Sequence, residues 1–138
     1  MATFEYELVD PPTEPRALAL WLQHAAGFIF FEDVRRYVMQ QIDPALPDEA
    51  RAAAQKGIDD AVYGLMMVVD GVSGGIRNAS RMLYVDFVVR FAESGDSAGA
   101  RLLSEVDLRQ GDGMCMGYHG WLEGDFGKDP IAISRPSS

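Results

Sequence analysis

Cysteine is all but missing from this chain: its 138 residues hold one, Cys115, so no internal disulfide can form. Histidine is nearly as scarce, with only His24 and His119, and two histidines with one thiol fall short of the four Cys/His ligands of a structural zinc site. Bases are outnumbered, 12 against 21 acids, for a net charge of −9. That balance argues against direct nucleic-acid binding, which needs a basic face to neutralise phosphates. Long apolar runs are absent as well. The stretch Ala25-Ala26-Gly27-Phe28-Ile29-Phe30-Phe31 falls far short of the roughly 20 residues of a spanning helix. Ser73-Gly74-Gly75 lacks both GxGxxG spacing and a P-loop lysine, so neither a cofactor nor a metal is expected. No basic n-region precedes an apolar h-region near residue 1, and a cytoplasmic location is the expectation.

What the chain has is enough apolar material for a core, 48% of its residues, at the usual length of one domain. We therefore read residues 1–138 as a single α+β domain, with 131–138 a frayed tail. Its acids gather at the ends. Residues 1–14 carry Glu5, Glu7, Asp10 and Glu14 with no base, and residues 105–129 carry six acids against Arg109 and Lys128.

Phe4, Tyr6 and Leu8 alternate with Thr3, Glu5 and Glu7, the period of a half-buried strand. From Glu14 to about Ile42 the pattern turns helical, opening on Pro15 with Leu18, Trp21, Leu22, Ala25 and Ile29 on one face. A second stripe of Phe30, Phe31, Val34, Tyr37, Val38 and Ile42 is offset from the first, which predicts a kink near Gly27 or burial on two sides. Another helix begins at Asp48-Glu49, buries Ile58, Val62, Leu65, Met66 and Val69, and ends at Gly71 and Gly74-Gly75. Arg81 to Glu93 alternates as a strand, with Leu83, Val85, Phe87, Val89 and Phe91 inward. Leu102 to Leu108 reads as the next strand, although 96–105 has some helical character. Asp112-Gly113 then reads as a hairpin turn before a strand from Met114 to Leu122. The whole predicts an N-terminal strand and two or three helices packed on one face of a mostly antiparallel sheet of about four strands.

The segment Gln110 to Gly127 holds six of the fourteen glycines, one of the two histidines, the cysteine and one of the two tryptophans. If a site exists, it is expected here. His119 and Glu123, on one face of a strand with Trp121, are the candidate acid–base pair. Tyr118 and Trp121 are read as the pocket wall, Asp112 and Asp125 as further binding acids, and Asp70 or Asp86 as an orienting carboxylate. A structural His–Glu pair accounts for the same residues. Cys115, with His119 as base, has the form of a nucleophile, but a lone cysteine between two methionines reads more simply as a small buried hydrophobe.

No catalytic constellation emerges, and the chain is more readily a non-enzyme. The expected function is therefore an acidic binding protein for a basic protein partner, in the manner of a bacterial immunity-type inhibitor. The alternative is a small enzyme or ligand-binding domain with its pocket around His119. A homo-oligomer through Phe28, Phe30, Phe31 and Tyr37 is a further expectation, drawn from the surplus of aromatics on the two-sided stripe.

Overall fold

In the computed structural model, which describes residues 2–95 and 100–136, the first helix starts where its cap is encoded. The Glu14 carboxylate accepts hydrogen bonds from the amides of Arg16 and Ala17, and Pro15 occupies the first turn of α1 (Pro15–Ile29). The stripe offset has a structural cause. From Phe30 to Arg36 the helix widens into a π segment before closing as α2 (Tyr37–Gln40). One extra residue in a turn rotates the downstream stripe by about 100°. The break thus falls past Gly27, which lies within regular α-helix. Helix α3 (Asp48–Val69) packs against the π segment and α2, with Asp48 and Glu49 in its first turn and Val62, Met66 and Val69 buried.

The protein is an α+β structure, and every strand pairing among the described residues is antiparallel. Among the described residues, six strands are divided among three two-stranded ladders instead of being gathered into one sheet. β1 (Tyr6–Leu8) pairs with β6 (Ala132–Ser134), β2 (Gly75–Arg77) with β3 (Met82–Tyr84), and β4 (Val88–Ala92) with β5 (Leu102–Asp107). The single strand expected over 81–93 is interrupted between Tyr84 and Val88, where the chain changes ladders. Phe87, Val89 and Phe91 pack inward, but Leu83 and Val85 stay exposed. Residues 96–99, where helical character competes with strand, lie outside the described residues. The expected frayed tail is also not seen at its start: Ile131 is buried and β6 closes against β1, while 137–138 lie outside the described residues.

The largest departure is at Met114–Leu122, which is helix α4 and not a strand. Asp112-Gly113 is accordingly no hairpin turn but the approach to this helix, and Gly113, at φ +104°, takes a backbone conformation that a side chain would strain. Tertiary contacts override the poor helix propensity of Gly117 and Gly120. Met114, Tyr118 and Trp121, spaced at i, i+4 and i+7, are all buried against α1, α3 and Phe31. No helix among the described residues is long and apolar enough to cross a membrane.

Candidate functional site

Trp121 organises the site. Its indole folds back over Gly117 on its own helix and lies against Gly27 of α1, and a Cβ at either glycine would overlap the ring. The indole N–H donates to His24 Nδ1 at 2.9 Å, which assigns the neutral imidazole proton to Nε2. Phe126 stacks on Trp121 with ring planes 5° apart, and Phe31 meets it edge-on.

Beside this pair two cavities open along α1, sharing Leu20 and His24 as a common wall. The larger, about 230 Å³, is closed by Asp112, Gly113, Met116, Gly117 and Trp121. The smaller, about 120 Å³, is closed by Trp21, Phe126, Gly127, Lys128 and Asp129. Together they form a cleft with an apolar floor and a rim carrying Asp112 and Asp129, with Lys128 the base in the lining. Gln23, nearly fully buried, shapes the larger cavity: its Oε1 accepts from the Asp112 amide at 2.8 Å, leaving the Asp112 side chain exposed.

Burial pushes the His24 pKa below its ordinary value, and the nearby charges of Asp125 and Asp112 oppose that shift. In the window below the ordinary value of 6.5 the unfolded chain therefore binds more protons than the folded one. The stability tied to neutral His24 is present above that value and is lost as pH falls from there toward the lower folded-state pKa. Protonation at Nδ1 also removes the acceptor for the Trp121 N–H. His24→Asn keeps an acceptor near Nδ1 without titrating, so the wild type is expected to lose melting temperature relative to this variant between about pH 7.5 and 5.5. Parallel curves would contradict the assignment.

The residues expected from the sequence are distributed differently from the strand reading. His119 and Glu123 stand one helical turn apart, both exposed, with Glu123 at the C-terminal cap of α4. Trp121 points inward while His119 points out, so the shared face with Trp121 does not exist; His119 instead neighbours Tyr63, ring centroids 6.0 Å apart. Tyr118 is buried and lines neither cavity. Its hydroxyl is within 3.1 Å of the Asp59 carbonyl and 3.2 Å of its carboxylate, which also accepts from Arg35 Nε. Burial, then the Asp59 charge, pushes the Tyr118 pKa up to about 12.

Asp70 caps α4, its two carboxylate oxygens accepting from the Met114 and Cys115 amides at 2.6 and 2.8 Å. Asp86 faces Arg109 at 3.6 Å. Asp125 accepts from the Gly127 amide and stays exposed near His24. Burial and then Asp70 push the Cys115 thiol up, away from the thiolate a nucleophile requires. Among the described residues no group of three His, Cys, Asp or Glu side chains is placed to hold a metal ion. Of the aromatics expected to form an oligomer surface, Phe31 is buried, Phe30 packs on the same core, and Phe28 lies between Tyr6 and Phe126; Tyr37 alone is exposed.

The residue that sequence reasoning passed over is His24. Its place at the edge of the α1 stripe gave it no apparent role, and its partner Trp121 lies 97 positions away. Comparison with protein-family models, curated proteins and solved structures finds no match. The structure thus defines an α+β protein with an acid-rimmed aromatic cleft.

Proposed function

We propose that this chain is a non-enzymatic, acidic binding protein that takes a basic protein partner, as an immunity-type inhibitor does, and that the partner seats on the His24–Trp121 cleft. The observation that carries the reading is the pairing of an apolar, preformed hollow with exposed Asp112 and Asp125 and half-buried Asp129, in a chain of net charge −9. Such a surface suits a lysine or arginine side chain, whose stem packs on apolar wall while its cation meets the rim. Steering by the net charge would speed association and make it salt-sensitive. Cytoplasmic residence fits the same role.

The alternative, a ligand-binding or enzymatic pocket in the glycine-rich segment, is favoured to the extent that Asp112, Gly113 and Gly117 line the larger cavity. In that reading His24, not His119, is the group that faces the ligand. A homo-oligomer built on Phe28, Phe30, Phe31 and Tyr37 draws little support, because intrachain packing absorbs most of those rings.

The test is calorimetric titration with an arginine- and lysine-rich peptide. Saturable binding that weakens with added salt is expected, reduced roughly tenfold in the Asp112→Asn/Asp125→Asn variant. Equal affinity in the variant, or salt-independent binding, would remove the cleft from the account.

A further inference from the structure

Strand β6, in the segment that the sequence suggests will fray, closes a hollow instead. It runs antiparallel to β1, with Leu8 opposite Ala132 and Tyr6 opposite Ser134. By the two-residue period of a strand, Tyr6, Leu8 and Ala132 share one face of this ribbon, while Glu7 and Ile133 take the other. The first face looks onto α1 without filling the space before it. Between ribbon and helix lies a cavity of about 270 Å³, walled on the helix side by Ala25, Phe28 and Ile29 at i, i+3 and i+4. Tyr6 meets Phe28 edge-on, ring centroids 5.0 Å apart, so two aromatic rings fix one wall.

The charge of this lining is the reverse of the chain's. Against a net charge of −9, the lining holds one ionic side chain, Arg135, and no acid. Arg135 is exposed but anchored: its amide donates to the Glu5 carbonyl at 2.8 Å and its Nε to the Tyr6 carbonyl at 3.0 Å. With Nε spent on the backbone, both Nη groups remain to donate. Among the described residues no carboxylate forms an ion pair with them. Two neighbouring sets of charged groups have partners of their own. Arg36, beside the Tyr6 hydroxyl, pairs with Glu32 at 2.9 Å, and both Asp33 carboxylate oxygens accept from Thr3.

We propose that this hollow binds a small apolar monocarboxylate, its hydrocarbon against Leu8, Phe28, Ile29 and Ile131 and its two oxygens on the Arg135 Nη groups. A guanidinium presents paired N–H bonds that match a carboxylate's two oxygens. A phosphate dianion would need more positive charge than one arginine supplies beside the acidic residues 1–14. The cavity falls just below the roughly 300–1,000 Å³ of drug-sized ligand sites, which limits the apolar part to a single ring or a short chain. It shares no lining residue with the His24 cleft, so its failure leaves the binding proposal standing.

Calorimetric titration of the full chain with sodium octanoate, and with octanamide as its uncharged counterpart, tests it. Octanoate is expected to bind saturably at one site, and octanamide roughly tenfold more weakly, since it lacks the charge-assisted pair. Arg135→Gln should bring octanoate down to the octanamide level. Leu8→Asp, at a position 56% exposed, sets an anion in the wall and should abolish octanoate binding; it decides the matter should Arg135→Gln loosen β6. A wild type that binds no octanoate, or binds octanamide equally well, overturns the proposal. So does octanoate binding that survives both substitutions, because the acid would then occupy another part of the surface.

Discussion

Replacing Trp121 with alanine is expected to cost about 3–5 kcal/mol of folding free energy, the range for deleting a large buried aromatic. The indole is 3% exposed, stacks on Phe126, meets Phe31 edge-on and holds His24 through its N–H. Its removal empties the junction of α1 and α4 at the point where both helices carry glycine to admit the ring, so neither backbone can move in to fill the space without losing contacts elsewhere. His24 loses its hydrogen-bond donor in the same step. Denaturant unfolding measures the cost; a loss below about 1 kcal/mol would mean that the ring does not organise the α1–α4 junction.

Gly27→Val is the converse experiment. The added side chain meets the indole directly, and the ring cannot withdraw because Gly117 lies against it as well. Overpacking typically costs about 1–3 kcal/mol, and the upper end is expected at this site. The two substitutions should not add. With Trp121 already replaced by alanine, the valine side chain enters vacated space and its cost should largely vanish, giving a coupling energy on the order of the overpacking cost. Additive losses would show that Gly27 is constrained by something other than Trp121.

The long helices were legible because their ends are written in local chemistry: Glu14 and Pro15 open α1, Asp48 and Glu49 open α3, and Gly71 follows its end. The π segment was visible as an offset between two stripes, but its position was not, since Phe30, Phe31 and Val34 satisfy either a kink at Gly27 or a widened turn. Alternation from Leu83 to Phe91 runs unbroken through the point where the chain changes ladders, because period-two spacing reports strand geometry and not the identity of the neighbouring strand.

α4 was misread because Gly113, Gly117 and Gly120 carry the local signature of turns. They are tolerated in and around a helix because its burial, with the cap from Asp70, outweighs their propensity. The spacing of Met114, Tyr118 and Trp121 did carry the helical signal. Misplacing that helix misplaced the site: in a strand His119, Trp121 and Glu123 share a face, whereas in a helix Trp121 turns inward to His24. No local pattern could join His24 to Trp121, since their contact exists only once α1 and α4 are packed.

The central claim, that the His24–Trp121 cleft receives a basic partner, is tested most directly through the two indole N–H resonances in an NMR titration. The Trp121 N–H reports on the His24 contact and that of Trp21, bonded to the Pro130 carbonyl at 3.0 Å, on the far end of the cleft. On addition of an arginine- and lysine-rich peptide at low salt, the Trp121 resonance is expected to shift saturably and to return as salt is raised. A peptide that binds while both indole signals stay fixed would contradict the account and place the partner surface elsewhere on the protein.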